Sequence, residues 1–360
     1  MVSVIYAVIA LSILIFVHEL GHYIVARLVN VKVLTFSLGF GKKLLRFTRG
    51  ETEYALSAVP LGGYVKLLGE SPDDVVPEEE IPRSYSHKPP FVKILIAFTG
   101  PFFNVLFACF LFFIIFMSGH SVLSTKVGNV EKDFPADVAG IRQGDVIASI
   151  DGKKIEEWPE LMEIMAKSEL KPLLFGVKRE STYFETPITP REIEGSNIFG
   201  EKVKRKVIGI VASNDFIQRQ ETLGGAVSKA VFQTYNLSEL TIVGIWKLIV
   251  GSISPKNVGG PLLILEAAGK QAKEGKKNFI YFIAIISINL AVVNLLPIPI
   301  LDGGHILFYL VEIVTRRRVS QKTIEVAQKV GITILVLIMA LAFYNDLDRL
   351  FNLKRFFGGG

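Results

Sequence analysis

Residues 2–29 read VSVIYAVIALSILIFVHELGHYIVARLV, an apolar stretch that contains the motif His18-Glu19-Leu20-Gly21-His22. A stretch of this length can cross the hydrocarbon core of a bilayer as one helix. It has neither the basic start nor the small-residue cleavage site of a signal peptide, which favours a retained transmembrane helix. Ionisable side chains inside such a helix are costly in lipid, so the motif indicates a functional site within a membrane protein.

The two histidines of the motif are four residues apart, which places both imidazoles on one face of a helix. Two neutral imidazoles on one face can bind Zn²⁺, and the intervening Glu19 can exchange a proton with water on the metal. The alternative is a chance match on an inert surface helix, but the apolar surroundings favour a zinc site. A catalytic zinc needs three protein ligands, so the third must come from another part of the chain.

Composition and patterning extend the membrane interpretation to the whole chain. The protein has 360 residues, of which 50% are hydrophobic and 21% charged. Its mean hydropathy is +0.43. Three further apolar spans lie at about 91–117, 279–296 and 330–344, which gives four predicted transmembrane helices. The net charge of +6 needs no nucleic-acid partner, since membrane proteins concentrate basic residues in cytoplasmic loops. The single cysteine, Cys109, excludes an intrachain disulfide.

Basic residues in the loops predict the orientation in the membrane. Two clusters follow the first and third spans: Lys32, Lys42, Lys43, Arg46 and Arg49, and then Arg316, Arg317, Arg318 and Lys322. Both clusters fall on one side of a four-span chain and indicate the cytoplasm. We therefore expect a multi-pass protein of the bacterial cytoplasmic membrane, whose N-terminus, C-terminus and segment 118–278 are extracytoplasmic. His18 then lies roughly 24 Å below the outer end of its helix, in the inner leaflet.

The segments between the spans differ in character. Residues 33–68 are strand-like, with glycines at the bends, and are apolar enough to predict a membrane-reentrant β-hairpin; a small surface hairpin is the alternative. Residues 70–90 have the composition of an acidic loop. Residues 122–212 alternate short strands and turns, as a water-soluble α+β domain does. Residues 223–275 are amphipathic and predict helices on the outer membrane surface.

The third zinc ligand is sought among the acidic and histidine side chains outside the first helix. His87 and the glutamates of the acidic loop are candidates, but Asp302 is the better one. It follows Pro297 and Pro299 at the end of the third span, where the prolines interrupt the helix and expose backbone polar groups at membrane depth. Taken alone, Asp302 would be interpreted as a solvated side chain in a turn that leaves the membrane.

Taken together, the motifs resemble those of the site-2 protease family of intramembrane zinc metalloproteases, and within it the bacterial regulator-of-sigma-E protease branch. The matching segments cover nearly the whole chain in order: His18-Glu19-Leu20-Gly21-His22, Gly100-Pro101-Phe102-Phe103-Asn104, Ser287-Ile288-Asn289, and Asn294 to His305. The block 135–152 resembles the PDZ domain of that family. Some members carry two such domains in tandem, whereas 122–212 has room for one.

The resemblance implies His18, His22 and Asp302 as zinc ligands and Glu19 as the catalytic acid and base. It implies an enzyme, a zinc metalloendopeptidase that cleaves the transmembrane segment of single-span membrane proteins in regulated intramembrane proteolysis. An anti-sigma factor or a remnant signal peptide is such a substrate, trimmed beforehand by another protease. The resemblance also implies three substrate-binding positions: Asn289, Asn294 and Gly39.

The expected fold is an α-helical polytopic membrane protein of four transmembrane helices, with a membrane-reentrant β-hairpin and one inserted extracytoplasmic PDZ-like α+β domain. The first half of the membrane core is expected at 1–118 and the PDZ-like domain at 119–213. Membrane-surface helices are expected at 214–278 and the second half of the core at 279–360. Residues 100–104 are interpreted as a packing kink in the second span. Two other functions remain open: an inactive membrane scaffold that binds partners through its PDZ domain, and a metal transporter or metal-binding protein.

Overall fold

A computed structural model describes residues 2–71, 74–197 and 199–351 of the chain. Residues 352–360 of the predicted second half of the core, and Met1 of the first half, lie outside the described residues. The chain forms two compact units, 1–115 together with 226–360, and 116–225. We call them the membrane unit and the inserted domain.

The helices of the described residues include long apolar ones and shorter ones between them. In chain order they are α1 Val2–Leu28, α2 Pro90–Met117, α3 Pro135–Val138, α4 Trp158–Lys167, α5 Leu223–Ile249, α6 Pro261–Glu274, α7 Lys276–Asn294, α8 Asp302–Thr315 and α9 Gln321–Phe351. Four of them, α1, α2, α7 and α9, are long and apolar enough to cross a membrane. Their positions agree with the four predicted spans.

Three elements differ from the sequence-based expectation. The fourth span was expected to be short, whereas α9 has 31 residues, because polar residues flank its apolar centre and continue the helix. Helix α8 follows directly after the proline-rich turn, where the sequence indicated a loop. Residues 216–219, expected among the membrane-surface helices, form a strand.

The strands are β1 Val33–Arg49, β2 Thr52–Leu67, β3 His120–Leu123, β4 Val127–Val130, β5 Val146–Ile150, β6 Lys153–Lys154, β7 Leu173–Arg179, β8 Thr182–Ile188, β9 Arg191–Ser196, β10 Lys202–Val207, β11 Ile210–Ala212 and β12 Phe216–Arg219. Strands β1 and β2 form an antiparallel sheet in the membrane unit. The other ten belong to the inserted domain.

The sheet of β1 and β2 is more elaborate than the predicted two-stranded hairpin, because both strands bend. Phe36 pairs with both Val65 and Tyr54, so the start of β1 lies between the two ends of β2. Four segments consequently lie side by side in the order 43–49, 52–57, 33–38 and 63–67. The bend in β1 occurs at Gly39, whose φ of 87° is a left-handed conformation that favours glycine. Segment 63–67 forms one edge, and no strand of the described residues pairs with its outer side.

The membrane unit packs through stripes of small residues on its helices. The buried face of α1 recurs every three or four residues and includes Ala7, Ala10, Leu14, His18 and Gly21. The buried face of α2 includes Gly100, Asn104 and Ala108, and that of α7 includes Ala284, Ser287 and Ala291. Small side chains allow close approach of apolar helices. His18 and Asn104 therefore lie on faces that are turned into the protein.

A buried carboxylate explains how the end of α9 is fixed. Asp346, 2% exposed, accepts hydrogen bonds from the backbone N–H groups of Gly260, Leu262 and Leu263 at 2.9–3.1 Å. These groups lie at the N-terminus of α6, where backbone donors have no intrahelical partner. An acid in a helix that is apolar enough to cross a membrane usually suggests function, but this one caps the N-terminus of α6.

The inserted domain is built around a four-stranded sheet in the order β6-β5-β7-β8. Its core contains fully buried Ile147, Leu161 and Phe175. Arg179 donates two hydrogen bonds of 2.8 Å to the buried carboxylate of Asp145. Burial alone would raise the pKa of Asp145, but Arg179 and the N–H of Arg142 outweigh burial and hold that pKa below its ordinary value.

Candidate metal centre

Three of the sequence-predicted residues converge at one point of the membrane unit. Nε2 of His18 lies 3.1 Å from Oδ2 of Asp302, and Nε2 of His22 lies 3.5 Å from Oδ1 of the same carboxylate. The two Nε2 atoms are 3.2 Å apart. One nitrogen or oxygen of each side chain thus lies within 4.8 Å of the others, close enough for one ion. Among the described residues, this is the one group of at least three His, Cys, Asp or Glu side chains placed so that they could hold a metal ion together.

The second nitrogen of His22 fixes the orientation of its ring. Nδ1 lies 2.8 Å from the carbonyl oxygen of Ile96 on α2. A carbonyl accepts, so Nδ1 carries the proton and the lone pair of Nε2 is directed toward Asp302 and His18. Metal-bound histidines are commonly held by this arrangement.

The turn between α7 and α8 brings Asp302 to the histidines. Helix α7 ends at Asn294, and Asp302 is the first residue of α8. Gly303 and Gly304 allow the turn to be tight, since a Cβ on either would lie 2.2–2.3 Å from carbonyl oxygens of the preceding segment. Backbone N–H groups in the turn around Pro297 and Pro299 have partners within it, since Ile298 donates to the carbonyl of Leu296 at 2.7 Å and Leu301 donates to that of Ile298 at 2.8 Å.

Glu19 lies beside these three side chains. A cavity of about 300 Å³ is lined by His18, Glu19, His22 and Asp302, and also by residues of β2. Gly63 of β2 packs directly on Glu19, because a Cβ on Gly63 would lie 3.0 Å from Cγ of Glu19. The sheet edge 63–67 therefore forms one wall of the cavity that contains the carboxylate.

The donor set fits zinc. Two imidazole nitrogens and one carboxylate are a typical ligand set of a catalytic zinc, which leaves a further position for water or substrate. Space for an ion beside the rings is maintained by Gly100 of α2, where a Cβ would lie only 2.3 Å from Nε2 of His22. Any side chain at this position would occupy the metal face of His22.

The predicted substrate-binding residues occupy three different places. Nδ2 of Asn294 lies 3.4 Å from Nε2 of His18, at the metal centre. Oδ1 of Asn289 instead accepts a hydrogen bond of 2.9 Å from Thr241 of α5 and lines a groove between α5 and α7. Five residues of helix separate the two asparagines by about 140° around the axis, so they face different surroundings. Gly39 is buried at the bend of β1, where it packs against the backbone of Val59 and Ser57.

The structure adds three residues to the centre that sequence reasoning did not place there. Gly100 and Asn104 were interpreted as a packing kink, but both contact the histidines. Gly63 had a detectable signal, since a Gly-Gly pair within a strand-like segment often marks close approach of another group.

The comparisons with known proteins agree with this chemistry. Residues 6–338 match the family described as peptidase family M50. A Campylobacter jejuni protein named “Putative zinc metalloprotease Cj1068” is 40% identical over 345 residues, which are 95% of this chain and 92% of the relative. A similarly named protein of Helicobacter pylori strain J99 is 39% identical over 358 residues, 96% of this chain and 99% of the relative. One of Rickettsia conorii is 34% identical over 359 residues, 98% of this chain and 100% of the relative.

Among solved structures, the PDZ domain of an SdrC-like protein from Listeria monocytogenes is similar to part of the chain. It is 21% identical, covers 25% of this chain and 86% of that domain, and has a TM-score of 0.21.

Proposed function

The chain belongs to peptidase family M50, the site-2 protease family, and on this basis we propose that it is an intramembrane zinc metalloprotease. Zinc is the metal that the names of its relatives specify. The observation that carries the proposal is the convergence of His18, His22 and Asp302 beside Glu19, with both histidines and Glu19 on α1, a helix long and apolar enough to cross a membrane.

Each side chain of the centre has a proposed role in peptide hydrolysis. His18, His22 and Asp302 hold the ion, which when bound supplies Lewis acidity toward water and the scissile carbonyl. Glu19 accepts a proton from the water as the water oxygen adds to the carbonyl carbon. When the C–N bond breaks, Glu19 returns that proton to the departing amine. Asn294, beside His18, holds the substrate backbone near the reacting carbonyl.

The proposed substrate is the transmembrane segment of a single-span membrane protein, such as an anti-sigma factor or a remnant signal peptide, cleaved in regulated intramembrane proteolysis. The carbonyls of such a helix are hydrogen-bonded within it, so the helix must unwind locally before attack. The outer side of segment 63–67 offers main-chain groups beside Glu19, and we propose that the unwound substrate adds there as a further strand.

Exposed apolar side chains support the proposed membrane contacts. Leu44, Leu45 and Phe47 of β1 are each at least 60% exposed, which fits a sheet that dips into the bilayer. Phe232 and Trp246 of α5 are also more than 60% exposed and fit a helix that lies on the membrane. The proposed location is the bacterial cytoplasmic membrane, with both termini and the inserted domain extracytoplasmic. We propose that the inserted domain is PDZ-like and that substrates reach the enzyme after trimming by another protease.

Removal of zinc tests the proposed function directly. The purified protein in liposomes, mixed with a single-span test substrate, is expected to cleave within the apolar segment. A zinc chelator should abolish product formation, and stoichiometric zinc should restore it, because the three ligands hold the metal reversibly. Mass spectrometry of the products locates the cut. Cleavage outside the apolar segment, or cleavage that persists in the zinc-free protein, would refute the proposal.

A proline at the sheet edge tests substrate presentation. Val65→Pro removes one main-chain donor from segment 63–67 and should reduce the cleavage rate by about fivefold, as expected for the loss of one hydrogen bond of about 1 kcal/mol. Zinc content should be unchanged, because Val65 is not a ligand. The matched control is Arg46→Pro in the opposite edge segment 43–49, which should retain most of the activity. Equal rates for wild type and Val65→Pro would contradict strand addition.

A further inference from the structure

A histidine that binds zinc through Nε2 as a neutral imidazole carries its remaining proton on Nδ1. That N–H needs an acceptor when it is buried, and the acceptor in turn fixes the ring. For His22 the acceptor is the carbonyl oxygen of Ile96, 2.8 Å away. The corresponding partner of His18 has to be identified separately, because the surroundings of the two rings differ.

The group that contacts Nδ1 of His18 is the side-chain amide of Asn104. Asn104 is fully buried, and its Nδ2 lies 3.4 Å from Nδ1 of His18. Its Oδ1 is buried as well and has no hydrogen-bond partner among the described residues. An unpartnered buried carbonyl oxygen is costly, and it sits on the same amide group that faces the ring.

The amide of Asn104 can present either of its two polar ends to the ring. With Nδ2 toward Nδ1, the amide can only donate, and such a hydrogen bond requires an unprotonated Nδ1 and therefore a proton on Nε2, the atom that lies 3.1 Å from Asp302. A metal ligand requires the opposite tautomer, since the lone pair of Nε2 must be free. A half-turn of the amide exchanges its oxygen and nitrogen with little change of shape and presents Oδ1 to Nδ1–H.

We propose that Asn104 is a positioning residue of the metal centre, whose Oδ1 accepts the hydrogen bond of Nδ1–H of His18 when zinc is bound. Asn104 does not touch the ion and acts through the ring that it orients. The inference rests on the proposed function, because it requires His18 to be a zinc ligand.

The surrounding structure keeps the amide in place. Ser287 of α7 donates a hydrogen bond of 2.7 Å to the backbone carbonyl of Asn104, which ties this turn of α2 to α7. Gly100, one helical turn earlier on α2, contacts the rings of both histidines. One face of α2 therefore supports the two metal-binding rings, through Ile96 for His22 and Asn104 for His18.

The test is zinc affinity, measured by chelator competition on the full-length protein in detergent. Asn104→Leu keeps the size of the side chain and removes the acceptor, so we expect the zinc dissociation constant to rise about 10- to 100-fold. Asn104→Asp keeps an oxygen acceptor and should bind zinc nearly as tightly as wild type. Ser287→Ala is the matched control, since it removes a buried hydrogen bond to the backbone of Asn104 without changing the acceptor. Ser287→Ala should cost much less zinc affinity than Asn104→Leu, because the acceptor for His18 remains.

The outcomes separate this inference from the proposed function. Wild-type affinity in Asn104→Leu would overturn the positioning role, as would equal losses in Asn104→Leu, Asn104→Asp and Ser287→Ala, which indicate packing alone. If Asn104→Leu does not fold, Asn104→Ala replaces it, and a difference from Asn104→Asp remains the criterion. Wild-type protein that binds no zinc would refute the proposed function itself.

Discussion

Glu19→Gln is expected to abolish cleavage of a transmembrane substrate while zinc remains bound. The amide has nearly the shape of the carboxylate but cannot accept the proton of the attacking water. General acid–base catalysis by a positioned side chain typically accelerates a reaction by about 10²- to 10⁴-fold. The cleavage rate should therefore fall by at least about 100-fold. Glu19 lies beside the ligands without being one, and the zinc affinity should therefore be close to that of wild type. Rate and zinc content are measured on the same preparation.

Glu19→Gln also distinguishes the three functions that the sequence left open. A protease loses cleavage and keeps zinc, whereas an inactive scaffold shows no cleavage in wild type either. A metal transporter would show zinc flux that does not depend on a proton acceptor at this position. Glu312→Gln, an acid-to-amide change on α8 remote from the ligand cluster, is the control and should leave the rate unchanged. Substantial cleavage by Glu19→Gln would exclude the proposed acid–base role.

Asp302→Asn is expected to remove zinc and activity together. It replaces an anionic ligand by a neutral amide at the point where three donor atoms converge. Loss of one of three ligands should weaken zinc binding by more than about 100-fold. This is more than the usual loss of affinity when a residue that only hydrogen-bonds to a ligand is changed. Chelator competition measures the affinity, and the test substrate measures the activity.

His305→Gln provides the comparison for Asp302→Asn. His305 lines the same cavity but does not belong to the cluster of ligand atoms, so zinc should be retained. If Asp302→Asn kept wild-type affinity and His305→Gln lost it, the third ligand would be His305 and the proposed donor set would be wrong.

The sequence was informative where function depends on local spacing. His18 and His22 lie on one helical face because they are four residues apart, and the family resemblance is confirmed over residues 6–338. Asp302 lies far along the chain from the histidines, and only the combination of motifs suggested it. The four apolar helices follow from composition, because hydropathy depends on no tertiary contact.

Features that depend on which helix faces meet were not predictable. Asn104 and Asn289 are both asparagines within spans, yet Asn104 contacts His18 and Asn289 contacts Thr241. The pattern of apolar residues does not specify the rotation of α2 or α7 at this precision. The bends that turn β1 and β2 into four segments likewise depend on pairing between distant residues, and the glycines near the bend of β1, Gly39 and Gly41, were the local sign of it.

Gly100 offers a criterion for sorting related sequences. Because a Cβ there would lie 2.3 Å from Nε2 of His22, even alanine would displace the ring or exclude the ion. A homologue could therefore retain the full HExxH motif and the distant aspartate and still be a pseudoprotease if a larger residue occupied the equivalent position. Such a lineage would be distinguished by the replacement of a glycine on another helix, outside the motif by which these enzymes are usually recognised.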